Sequence, residues 1–161
     1  TRSWAALRQP PQVAAMVTAT EVDLPSRRRG RRAVQPLLRA VLVAGLAVDA
    51  AVHAHLAPSY GVIGRLDEAT LFVVEAVVAA VLALLAILRR TRVVDSIALL
   101  VALAGLAAVV TYRYVDVGAL GPFPDMYEPV WYPEKAWSAV AEGVAALAAI
   151  GLLIRRRRRA A

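Results

Sequence analysis

The stretch Val41-Leu-Val-Ala-Gly-Leu-Ala-Val-Asp49-Ala-Ala-Val-His53-Ala-His55-Leu56 decides how this chain folds. It is apolar enough to enter a bilayer, yet it carries one acid and two histidines. At 1.5 Å per residue, ~20 residues cross a ~30 Å hydrocarbon core. An ionisable side chain at the centre of an inserted helix costs roughly 2.5 to 3.5 kcal/mol, so it turns toward partners or water rather than lipid. Asp49 and His53 are four residues apart and share one helical face. His55, two residues beyond His53, points to another side. Gly45 lies on the Asp49 face and would let a neighbouring helix approach closely.

The rest of the chain repeats this grade of hydrophobicity. Of its 161 residues, 60% are hydrophobic and 19% charged, and the apolar ones gather into blocks rather than spreading over a soluble core. The blocks are Ala40–Ala57, Leu71–Leu88, Val93–Tyr112 and Ala136–Ile154. Each approaches the length of a membrane span. The expected fold is therefore all-α, a bundle of four transmembrane helices.

Charge orients the bundle. Thirteen basic residues fall in Arg27–Arg32, Arg89–Arg92 and Arg155–Arg159, against three (Arg65, Arg113 and Lys135) in the alternate loops. Such alternation follows the positive-inside rule and predicts both termini on the cytoplasmic side. The heavy use of Ala, Val and Arg points to a bacterial genome, hence to a multi-pass protein of the bacterial cytoplasmic membrane. Residues 1–36, rich in Pro and Arg, are expected to be a disordered basic segment. A four-helix domain over 37–154 and a basic tail over 155–161 follow. The first apolar block reads as an uncleaved span rather than a secretory signal. Arg27–Arg32 and Arg155–Arg159 beside a membrane suit anionic lipid headgroups, with no nucleic acid among the expected partners.

Smaller features refine the bundle. Asp67 and Glu68 stand where acids complement a helix N-terminus. Asp95 is expected to pair with Arg92, and Arg39 to snorkel toward the headgroups. Between spans three and four, Pro122, Pro124, Pro129 and Pro133 preclude a regular helix. The aromatic residues between them would hold this Pro/aromatic-rich outer loop over the bundle's end.

A polar layer is the functional lead. Counted from the expected span ends, Asp49 lies ~12 Å deep, His53 and Glu75 ~6 Å and Glu142 ~9 Å, all in the outer half. Glu75 shares a face with Ala79, Ala83 and Ala86, and Glu142 with Ser138, Ala145 and Ala149, so the acids point into the bundle. Three bare carboxylates cannot sit there in low dielectric without a proton, a cation or water. Three outcomes are open: a hydrogen-bonded structural cluster, a proton or cation path, or a divalent metal site, for which His plus carboxylates suit Zn, Mn or Fe. His55, Met126, Tyr127 and Glu128 are peripheral candidates, and a copper variant would use His53, His55 and Met126.

Other chemistries find little support. His53 and His55 are the only histidines and lie on one helix, so bis-histidine haem ligation is not expected. The absence of cysteine excludes disulfide exchange and iron–sulfur ligation within the chain. No phosphate loop, nucleophile elbow or His-Glu-x-x-His is present, so catalysis is not the expected role. In layout the chain resembles small four-span bacterial membrane proteins, the DoxX-like group among them, and the resemblance assigns no residues. The expected function is an accessory or interaction subunit with a membrane-protein partner or a second copy of itself. The alternative is a cation-coupled or metal-binding protein using the polar layer.

Overall fold

A computed structural model describes residues 25–61, 67–121 and 123–160, with the backbone alone at 25–32 and 159–160. Four helices follow one another: α1 (Pro25–Leu56), α2 (Glu68–Leu88), α3 (Arg92–Tyr114) and α4 (Pro133–Ala160), with a short 3-10 turn at Ala57–Ser59. Stretches of 27, 21, 23 and 26 residues within these elements are long and apolar enough to cross a membrane.

The helices outrun the apolar blocks at most ends. α1 begins at Pro25, so the backbone is helical through part of the segment expected to be irregular. Proline suits a first helical position and arginine is a good helix former, whereas the expectation of disorder rested on the Pro and Arg content and the few aromatics. Pro36 lies inside α1 and withholds one backbone donor from the ladder. The expected tail is likewise helical as far as Ala160. Residues 1–24 and Arg65 lie outside the described residues, as do the side chains of Arg27–Arg32 and Arg159.

Local chemistry sets the helix ends. Asp67 caps α2 by accepting from the Thr70 amide at 2.7 Å, as the paired acids there implied. Thr91 caps α3 through the Val94 amide at 3.3 Å. Only Arg89, Arg90 and Thr91 separate α2 from α3, which makes those helices antiparallel neighbours. The longer link from α3 to α4 turns at Gly118 and Gly121, whose φ values of 60° and 58° fall where a side chain would be strained.

Packing inverts the pattern of a water-soluble bundle. Small residues fill the interior, among them Ala79, Ala86, Ala98, Ala145 and Ala149, around Leu42, Leu46 and Leu152. Large apolar residues such as Val77, Leu84, Ile87, Leu100 and Leu147 point outward. Such packing suits a bilayer, where hiding large apolar residues gains little and small residues inside let the backbones approach closely. Gly45 shows how closely: a Cβ there would sit 2.9 Å from the Ala141 carbonyl oxygen and 3.0 Å from the Ala145 Cβ.

Candidate functional site

Two polar clusters lie inside this apolar bundle. The first is built on α1 and α4. Asp49 and His53 stack one turn apart, with His53 Nδ1 3.0 Å from Asp49 Oδ1 and 3.1 Å from the Asp49 carbonyl oxygen. Phe72 of α2 meets the imidazole edge-on, ring centroids 5.4 Å apart. From α4, Ser138 Oγ lies 3.3 Å from Asp49 Oδ1 and 3.4 Å from Glu142 Oε1. One hydroxyl proton serves only one of these acceptors at a time.

Burial makes this arrangement consequential. Asp49 is 2% exposed and Glu142 1%, with His53 and Ser138 also buried. Glu142 Oε2 is enclosed and has no hydrogen-bond partner. Gly105 of α3 supplies the room: a Cβ there would overlap the Glu142 carboxyl group. One ligand atom from each of Asp49, His53 and Glu142 lies within 4.8 Å of the others. Donors at ~2.0–2.2 Å from a zinc-like ion would need only modest contraction of such a group.

Of the four residues singled out in the polar layer, the structure therefore brings three together. Glu75 stands apart on α2, half-buried, with Oε1 enclosed and unpartnered. It lines a cavity of about 530 Å³ that also reaches His53, Ser138 and Glu142. Met126 and Glu128 belong to this cavity's wall, whereas Tyr127 is exposed. His55 is exposed on α1, away from His53, so a copper site on the two imidazoles has no geometry here.

The segment between α3 and α4 folds over the cavity. The Glu128 amide donates to the Tyr112 carbonyl at 3.0 Å, and Lys135 Nζ donates to the Glu128 carbonyl. Tyr60 and Tyr132 join hydroxyl to hydroxyl at 3.0 Å across 72 residues of sequence. Burial, and next the bond to Tyr60, push the Tyr132 phenol above its ordinary value.

The second cluster corrects two expectations. Asp95 is fully buried and pairs with Arg39 of α1 and with Arg156 Nε of α4 at 2.9 Å, while Arg92 is exposed. Arg39 does not snorkel outward; its side chain is 10% exposed and turned to Asp95. Three residues separate Asp95 from Arg92, but Asp95 faces the interior, where only the neighbouring helices supply cations. Arg156 also donates to the Arg90 carbonyl, which ties α4 to the turn before α3.

Ser138, Gly105 and Phe72 are site residues that sequence reasoning did not single out as such. Ser138 did carry a signal, four residues before Glu142 on the same face. Gly105 and Phe72 carried none, because their part depends on which helix they meet. Comparison of the chain with protein families, curated proteins and solved structures returns no match.

Proposed function

We propose that this chain is a small multi-pass protein of the bacterial cytoplasmic membrane that binds a divalent transition-metal ion at Asp49, His53 and Glu142. The observation that carries the reading is the compact buried group of Asp49, His53 and Glu142, in which Glu142 also keeps an enclosed, unpartnered Oε2. A satisfied structural cluster would leave no such oxygen, since an unmet buried acceptor costs about 1 to 3 kcal/mol. One imidazole and two carboxylates suit borderline cations of the Zn, Mn and Fe kind. The ion would neutralise both acids, which are costly to bury as bare carboxylates.

Three protein ligands would leave coordination positions open, and two of the three, His53 and Glu142, also line the cavity. The arrangement suits uptake, sensing or passage of the ion from the cavity end. With Arg-rich segments cytoplasmic, that end faces outward. Elemental analysis of protein purified in detergent tests the reading. About one equivalent of metal in the wild type, lost in H53A, supports it; a metal-free wild type that takes up none of Zn²⁺, Mn²⁺ or Fe²⁺ overturns it.

A second reading keeps the cluster structural and makes the protein an accessory subunit. It is favoured by Ser138, which reaches both acids without any ion. Under it, no metal would be bound, and D49N would cost stability through its lost pairing with His53 whether or not metal is supplied.

A further inference from the structure

The metal group uses one wall of the cavity and leaves its largest feature unexplained. About 530 Å³ falls within the range of small-molecule pockets, roughly 300 to 1,000 Å³. Four carboxylates line it (Glu68, Glu75, Glu128 and Glu142), while the lining holds a single ammonium, Lys135. Lys135 is already engaged with the Glu128 carbonyl and stands over the Tyr132 ring, 5.9 Å from its centroid. Much of the remaining wall is apolar or aromatic, including Leu56, Phe72, Val109, Tyr112 and Phe123.

Within that wall Glu75 is the group without an assignment. It lies outside the compact metal group, and its enclosed Oε1 has no partner. It sits seven residues into α2, about 10 Å from the helix start by rise per residue. A carboxylate oxygen at that depth, away from water, attracts a positive charge far more strongly than one at the surface. Aromatic residues elsewhere in the same wall add a cation–π attraction for the same kind of ligand. Charge, volume and wall composition converge on one chemistry.

We infer that the cavity binds a lipophilic organic cation, its positive head at Glu75 and its apolar body against the aromatic wall. An anion is disfavoured by four acids. A bare metal ion would leave most of the space and the apolar wall unused. The inference rests on Glu75's own unpartnered oxygen and not on the metal reading, although a metal ion at Asp49, His53 and Glu142 would repel a cation in the same cavity.

Tetraphenylphosphonium and its anionic isostere tetraphenylborate provide the test, by equilibrium dialysis of the full chain in nonionic detergent against protein-free micelles. Saturable uptake of the phosphonium alone is expected. E75Q should weaken it by about tenfold or more, as loss of a desolvated charge pair does. E75D, which keeps the charge, should restore part of it. A108W, which adds bulk to the cavity wall, should also reduce uptake while Glu75 stays intact. Metal content is measured on the same E75Q sample and should equal that of the wild type. Phosphonium binding that depends on Glu75 in a metal-free protein would sustain this inference and overturn only the metal reading. Equal uptake of the two ions, or undiminished binding by E75Q, would overturn the inference.

Discussion

Arg39 of α1 donates through Nη1 to Oδ1 of Asp95 on α3, 56 residues away in sequence and out of contact with solvent. Arg156 holds the other carboxylate oxygen from α4, so a single acid ties three helices. Removing one member of a buried pair leaves the other uncompensated, at a cost of about 3–5 kcal/mol. D95N should destabilise by that order in unfolding titrations of the detergent-solubilised protein. R156A should cost less, about 1 kcal/mol or under, because its side chain is 24% exposed. The reverse order would mean that Arg156, rather than Arg39, holds the acid in place.

Gly45 and Gly105 should separate folding from binding. A methyl group at Gly45 meets the Ala141 backbone, which moves only with the helix, so G45A should cost about 1–3 kcal/mol of stability. A methyl group at Gly105 meets the end of the Glu142 side chain, which can rotate away. G105A should therefore keep most of its stability and lose metal, read by unfolding and elemental analysis in parallel.

Chelation should act through the same group. A ligand at a hundred times its dissociation constant stabilises the folded state by about 2.7 kcal/mol. Stripping metal with EDTA should lower the melting temperature of the wild type and leave that of H53A unchanged. A wild type indifferent to EDTA counts against a bound metal.

The Tyr60–Tyr132 bond should appear at alkaline pH. Burial and the Tyr60 hydroxyl hold the Tyr132 phenol neutral above the ordinary tyrosine value of about 10. The folded state then keeps a proton that the unfolded chain loses. The associated stability is complete below pH ~10 and declines as pH rises from there through the folded-state value. Y132F, which cannot ionise, should show a shallower decline above pH ~10 in thermal melts. Parallel profiles would remove Tyr132 from the account.

Orientation can be read with single cysteines, since the chain has none of its own. D116C, in the link between α3 and α4, should react with a membrane-impermeant maleimide added to intact cells. R89C, in the turn between α2 and α3, should react only after the membrane is opened. The opposite pattern would invert the bundle and place the cavity on the cytoplasmic side.

Much of the architecture was legible along the chain. Four apolar stretches and their small-residue faces are local properties, repeating at the helical period, and they need no knowledge of neighbours. Gly45 could be read as a contact point because it shares a face with Asp49, and the structure seats α4 against it. The ends were less legible. Proline and arginine at 25–36 read as irregular by composition, yet both are compatible with the start of a helix.

The sequence by itself pointed Asp49, His53 and Glu142 inward, because an acid or histidine in an apolar helix has few tolerable directions, but it did not do so for Arg39 and Asp95. Only the tertiary structure decided which of them meet. Asp95 took Arg39 and Arg156 rather than the nearby Arg92, and Glu142 joined Asp49 and His53 while Glu75 was left to the cavity. Facing is set within one helix by its period of 3.6 residues. Meeting is set between helices by their order, rotation and depth, which residues far apart in sequence fix jointly.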